Sequence, residues 1–384
     1  MRIAFISTMS GLPWGGSEEL WAAAAEHARA TGHEVLACVN RWPEVPRALE
    51  HLVDQGVQLV RVPRRKNKGF ALAVAGFTKP RTRALDRFRP DIVCISQGSS
   101  YEAALQRRFH DIIGWLRHTG TPYVVVCHSS SEASPFNTRT RNQARAFLAG
   151  ARQVAFVAER NRLSCIRHLA VDLPDSMVLR NPVNMSSIDA LPWPSRPAED
   201  CPLVACVGRH EVAHKGQDVL LDALASEPWR SRNFRLSLVG TGPDEQYLKD
   251  LAARGVPDGR VTFPGYAADI RALWAEHHIL ILPSREEGAP LVLVEAMLCA
   301  RPAIVTDIGG NAEWISEGST GFIAAAPTVR EIASALERAW QSRARWRQMG
   351  QDARAAALRL YDPRPGKTLV DLLIAAASRD FQRA

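Results

Sequence analysis

The chain has 384 residues, 46% hydrophobic and 23% charged, with 48 Lys and Arg against 40 Asp and Glu. That composition excludes a disordered or fibrous chain, and at roughly 100–200 residues per domain the length favours two domains over one. No stretch approaches the ~20 consecutive apolar residues that span a bilayer, and residues 1–6 run into a Gly-rich loop instead of a cleavable signal, so a cytoplasmic protein is expected.

Short, unalternating apolar runs at 3–7, 34–39, 57–62, 91–96, 123–127, 154–157 and 177–179 are separated by longer helical stretches such as 18–30. Parallel strands buried on both faces have this signature, which predicts a doubly wound α/β domain over 1–185. Residues 181–201 carry Pro182, Pro192, Pro194 and Pro197 with little periodicity and read as an interdomain linker. The pattern restarts at 203–207, 235–239, 261–263, 279–282, 303–305 and 321–324, predicting a second α/β domain over 186–364. A last helical pattern at 367–378, within a segment 365–384, can pack on either domain and is expected back on the first. Two open parallel sheets in tandem place the carboxyl ends of their strands where the binding crevices can face one another across a cleft. The seven Cys are odd in number and form no CxxC pair, which argues against disulfides and zinc. Cys38, Cys94, Cys127 and Cys206 read as small hydrophobes inside strands.

Four segments carry chemistry. Gly15-Gly16-Ser17-Glu18 follows the first strand and opens a helix, so backbone N–H groups there can meet an anion, although glycine pairs are also plain turns. Arg209 and Lys215 follow the first strand of the second domain, flanked by Gly208 and Gly216. They can converge on a phosphate cluster or stand as two solvated cations. In Glu287-Gly288-Ala289-Pro290-Leu291-Val292-Leu293-Val294-Glu295-Ala296-Met297 a strand-end turn leads into a helix. Carboxylates bond vicinal hydroxyls well, so a sugar and a ribose suit Glu287 and Glu295. The rival reading makes Glu287 a helix N-terminal charge and Glu295 an exposed helix residue. The fourth segment is Thr306-Asp307-Ile308-Gly309-Gly310-Asn311-Ala312-Glu313.

In that order these motifs resemble the retaining glycosyltransferases of family 4, which have the GT-B fold of two Rossmann-like domains facing across a cleft. The likeness is strong over the second domain and confined in the first mainly to its opening loop. It implies that Glu295 binds the ribose of a nucleotide and Glu287 the hydroxyls of its donor sugar. Arg209 and Lys215 would hold the diphosphate with the backbone N–H groups of Gly16, Leu291 and Val292, and Gly15, Gly288, Ala289 and Pro290 would line the donor site beside them. Phe263, Gly265 and Tyr266 match the segment that meets the base, and His128 a histidine beside the transferred sugar. Ser129 follows it where many members have Asp; Ala289 and Ala300 stand where a larger apolar residue and a Gly are common.

A departing diphosphate gathers negative charge, so fixed cations there favour the transition state. The chain has no Asp-x-Asp for a divalent metal. The resemblance therefore implies retaining transfer without metal or other cofactor, with Arg209, Lys215, Glu287 and His128 as its catalytic group and Glu287 at the sugar hydroxyls instead of forming a covalent intermediate. UDP is the expected carrier by family frequency, with GDP and ADP open, and the acceptor is a glycan, glycolipid or small-molecule glycoside. A catalytically silent sugar- or partner-binding protein is the alternative, and a Rossmann oxidoreductase is disfavoured by the lack of GxGxxG.

Residues 1–185 hold 25 Lys and Arg against 15 Asp and Glu, and residues 186–384 hold 23 against 25. The excess lies in the expected acceptor half, at 64–68, at 79–89 and at Arg139, Arg141 and Arg145. With apolar 70–77 beside the first cluster, it fits either a solvated face or peripheral contact with the inner face of an anionic membrane. Nucleic acid is disfavoured, because the basic runs lack interleaved aromatics.

Overall fold

The structure, a computed structural model, describes residues 1–63, 80–131 and 136–378. The chain divides into two compact units, Met1–Pro182 with Asp362–Ala384, and Val183–Tyr361. It therefore crosses between units at 182/183 and again at 361/362. The first crossing lies three residues before the expected 185/186 boundary.

In the first unit, β1 (Arg2–Ser7), β2 (Glu34–Asn40), β3 (Gln58–Val62), β4 (Ile92–Gln97), β5 (Tyr123–Cys127), β6 (Gln153–Phe156) and β7 (Met177–Val178) form a parallel sheet in the order β3-β2-β1-β4-β5-β6-β7. Both faces are covered, which is why the runs do not alternate. Ile3 and Phe5 face a core with Trp21, Ala24 and Leu369, whereas Ala4 and Ile6 face another with Phe109, Phe147 and Phe156. Each large side chain so buried contributes roughly 1.5–3 kcal/mol against leaving it in water. The helix Pro365–Ser378 packs along Gly16–Ala30, so the C-terminal segment belongs to this unit.

In the second unit, β8 (Leu203–Val207), β9 (Arg235–Val239), β10 (Val261–Gly265), β11 (Ile279–Leu282), β12 (Ala303–Thr306) and β13 (Gly321–Ala324) form a parallel sheet in the order β10-β9-β8-β11-β12-β13. Val204 and Cys206 enter one core and Ala205 the opposite one. Each unit is doubly wound, with the strand order reversing between β1 and β4 in one and between β8 and β11 in the other. A crevice forms outside the strand carboxyl ends at such a reversal.

Two expectations need correction. The proline-rich stretch is no free linker, because from Val183 onward it is part of the second unit. Ala198 and Cys201 are buried, Trp193 packs on His278, and the buried Arg301 donates to the carbonyl of Pro192 as well as to those of Trp274, His277 and Cys299. Prolines here fix a chain that is pinned from a distance. The basic excess is also partly internal. Arg81 is buried and donates to Asn40 Oδ1, while Arg141 and Arg145 donate to the carbonyls of His168 and Leu169 at the end of helix Glu159–Leu169. Arg83, Arg87, Arg89 and Arg139 are exposed. The cluster at 64–68, apolar 70–77 and Lys79 lie outside the described residues. All seven cysteines are reduced and buried.

Candidate functional site

In the second unit the expected residues gather at the β8/β11 reversal. β8 leads through Gly208 and Arg209 into the short helix Val212–Lys215, which ends at Gly216 with φ +64°. A side chain at 216 is doubly penalised, since its Cβ would stand 2.1 Å from the carbonyl oxygen of Pro283. The loop after β8 thus lies directly on the loop after β11. Arg285 fastens them further, bonding both carboxylate oxygens of Asp218 at 2.6 and 2.9 Å and the carbonyl of Val212. The backbone N–H groups of Arg285 and Glu286 both donate to the carbonyl of His214.

This stitching brings Lys215 to Glu287. Lys215 Nζ donates to Glu287 Oε1 at 2.6 Å, and Ser284 Oγ donates to the same oxygen at 2.8 Å. Glu287 is only 7% exposed, so it is no solvated helix-start charge. Arg209 pairs with Glu211 at 3.0 Å. Without ligand, each cation assigned to the diphosphate has a carboxylate partner.

The turn 287–290 is held from β12. Gly309 has φ +55°, and a Cβ there would come within 2.2 Å of the carbonyl oxygen of Glu287. Gly310 N donates to Gly288 O at 2.6 Å, and Thr306 Oγ1 to Ser284 O at 2.7 Å. The fourth motif is thereby accounted for as the buttress of the third. Leu291 and Val292 begin the helix Leu291–Leu298, with Ala289 and Pro290 just before it. Glu295 is buried in that helix and accepts from Asn184 N at 2.9 Å through Oε1, which corrects the exposed reading. Phe263 and Gly265 end β10 beside β9, and Tyr266, just past that edge strand, is 80% exposed. Phe263 meets His210 edge to face.

In the first unit, Gly15 caps the helix Gly16–Ala30 after β1, and His128 follows β5. His128 Nε2 lies 3.1 Å from Ser96 Oγ, and Ser96 Oγ donates to Ser17 O at 3.3 Å. Burial pushes the His128 pKa down to about 4, so the ring is neutral at pH 7. Glu18 is buried and accepts from Ser7 Oγ at 3.0 Å and Trp21 Nε1 at 2.9 Å. Its desolvation outweighs those bonds and raises its pKa to about 7.

Sequence reasoning missed Ser96, Ser284, Arg285 and the buttress role of Gly309. Ser284 and Arg285 stood next to the recognised turn, but their partners lie up to 73 residues away. No group of His, Cys, Asp or Glu among the described residues has the arrangement of a metal site.

The family model for "Glycosyltransferase Family 4" matches residues 14–187, and that for "Glycosyl transferases group 1" matches 201–342. The alpha-D-kanosaminyltransferase of Streptomyces kanamyceticus is 34% identical over 143 residues, 36% of each chain. The D-inositol 3-phosphate glycosyltransferase of Gordonia bronchialis is 32% identical over 168 residues, 40% of this chain and 36% of that one. These matches span well under two thirds of the relatives' own length. Among solved structures, HepE of Anabaena in complex with UDP superposes with a TM-score of 0.74 at 19% identity, over 98% of this chain and 100% of that one. A glycosyltransferase of Rickettsia africae gives 0.76 at 16% identity, over 99% of both. The chain has the GT-B fold and belongs to the group 1 glycosyltransferases of family 4.

Proposed function

We propose that the chain is a retaining glycosyltransferase that moves a sugar from a nucleoside diphosphate sugar, with UDP as carrier, to an acceptor hydroxyl without a metal. The observation that carries this reading is the joining of Lys215, Glu287 and their loops at the β8/β11 reversal, with Arg209 on the same loop after β8. Arg209 and Lys215 exchange their carboxylate partners for the diphosphate and stabilise the charge it gains as the bond from sugar C1 to phosphate oxygen breaks. The acceptor oxygen bonds C1 on the face the diphosphate leaves, and its proton passes to a diphosphate oxygen. The N–H groups of Leu291 and Val292 at the start of an eight-residue helix add donors for the anion. Glu295, oriented by Asn184 N, takes the ribose. Glu287 takes the sugar hydroxyls, and the resemblance assigns the backbone of Gly16 to the diphosphate and His128 to the sugar. Tyr266 offers an exposed ring beside the backbone that meets the base.

The first unit is assigned to the acceptor, a glycan, lipid-linked glycan or small-molecule glycoside. No helix among the described residues is long and apolar enough to cross a membrane. Peripheral contact of the basic half with an anionic membrane is tested by sedimentation with anionic vesicles, where binding that fades with salt supports it and indifference to anionic lipid removes it.

The deciding experiment is a thermal-shift panel of nucleoside diphosphates and their sugars, followed by transfer assays on the donor that raises Tm most. A UDP-sugar should give the largest shift, and transfer should proceed in EDTA. Donor binding with neither hydrolysis nor transfer to any acceptor would favour the catalytically silent alternative.

A further inference from the structure

Ser96, near the end of β4, is buried between two partners that the strand order brings together. Its Oγ lies 3.3 Å from the carbonyl oxygen of Ser17, in the first turn of Gly16–Ala30, and 3.1 Å from Nε2 of His128. The backbone N–H of His128 donates to the carbonyl of Gln97, which continues the β4–β5 pairing and fixes the ring's origin relative to Ser96. A serine hydroxyl has one hydrogen and a carbonyl oxygen can only accept. The hydrogen goes to Ser17, so the contact with the ring is satisfied only if Nε2 carries a hydrogen and donates it to an Oγ lone pair. A neutral imidazole has one N–H, which leaves Nδ1 with a lone pair. Nδ1 is buried and has no hydrogen-bond partner among the described residues, and burial keeps the ring neutral.

We propose that Ser96 is a positioning residue that holds His128 in the Nε2–H tautomer, leaving Nδ1 as an acceptor aimed at a hydroxyl of the transferred sugar. The tautomer follows from giving the Ser96 hydrogen to the Ser17 carbonyl, whereas the identity of the hydroxyl rests on the glycosyl-transfer reading. A buried acceptor without a donor is costly, and a bound hydroxyl removes that cost. A deoxy carbon or a carboxylate at the same place cannot. The site therefore selects donor sugars that present a hydroxyl to His128, against deoxy sugars and uronic acids that lack one there. Through Ser17 the same hydroxyl ties the ring to the start of the helix that opens at Gly16.

The test is long-range ¹H–¹⁵N correlation on the ligand-free full chain labelled with ¹⁵N-histidine, His128 being assigned by its loss in His128→Gln. The expected wild-type ring at pH 7 is Nε2–H, retained in Ser96→Thr and lost to Nδ1–H or to averaging in Ser96→Ala. With the donor chosen by the thermal-shift panel, kcat/KM should fall about tenfold in Ser96→Ala, the worth of one oriented hydrogen bond, and recover in Ser96→Thr, with the Kd for UDP unchanged. A wild-type Nδ1–H ring overturns the assignment without any variant, as does an unaltered tautomer in Ser96→Ala. A chain inactive on every donor yet Nε2–H at His128 overturns the transfer reading alone.

Discussion

On the proposed donor site, a diphosphate must displace Glu287 from one ammonium, and this competition predicts opposite effects for two neighbouring substitutions. Lys215 Nζ stands 2.6 Å from Glu287 Oε1; the Lys215 side chain is 28% exposed and that of Glu287 7%. A charge-assisted bond in so dry a setting is worth about 1.5–3 kcal/mol, and a diphosphate, which offers the ammonium more than one charged oxygen, should exceed it by about 2 kcal/mol. Lys215→Ala should therefore lose about 2 kcal/mol of UDP affinity, roughly a thirtyfold rise in Kd. Glu287→Gln removes the competitor and keeps the Ser284 contact, so UDP should bind as tightly or severalfold tighter while turnover falls, because the sugar hydroxyls lose their carboxylate. Titration calorimetry on the wild type, both single variants and the double, at one ionic strength, gives the cycle. The double variant should bind UDP like Lys215→Ala, since without the ammonium the carboxylate has nothing to withhold. A thirtyfold loss in Glu287→Gln, or no loss in a folded Lys215→Ala, refutes the reasoning.

Further expectations concern the clamp, its buttress and a buried acid. Arg209→Ala should lower kcat by about a hundredfold or more with Tm nearly unchanged, because its ion pair with Glu211, with side chains 36% and 29% exposed, contributes little to folding; near-normal turnover would remove Arg209 from the diphosphate. Gly309→Ala places a Cβ 2.2 Å from the carbonyl of Glu287 at φ +55°, and should cost about 2–4 kcal/mol in denaturant unfolding along with donor binding. Wild-type stability in that variant would show the buttress to be dispensable. Glu18 has its folded pKa raised from 4.5 to about 7 by burial. Below pH 4.5 the carboxyl is neutral folded or unfolded. Between there and pH 7 only the unfolded chain ionises, so stability falls as pH rises through that window and is flat above it. Glu18→Gln should remove this component, its advantage over wild type growing to about 3 kcal/mol by pH 7; a difference independent of pH would mean that Glu18 is ionised in the fold.

Much of the fold was legible because its strands are buried on both faces. A run such as Ile279–Leu282 has no polar face to confuse its reading, and each of the thirteen strands among the described residues lies within two residues of an expected run. The helix Leu291–Leu298 carried a further signal that went unused: Glu295 is the single charged residue among apolar ones, and a helix apolar all round is buried all round. Long-range polar contacts left no such trace. Nothing local announces that Lys215 meets Glu287 from 72 residues away, or that Arg301 reaches back 109 residues to hold Pro192. The prolines signalled a break in periodicity correctly; whether that break is slack or fastened depends on a guanidinium elsewhere. The conformation of Gly309 was equally hidden, since glycine tolerates so many that its presence does not say which one is used.

The helix Pro365–Ser378 carries a consequence for biogenesis. Leu369, Val370, Leu373 and Ala376 complete the same apolar core as Trp21, Ala24 and Ala25, from the opposite end of the chain. During synthesis the N-terminal unit leaves the ribosome with that face of its first helix uncovered, and the missing element is translated only after all of Val183–Tyr361 has been made. The second unit has no such dependence, being continuous in sequence. Its folding can precede completion of the first, whose core waits for Pro365–Ser378.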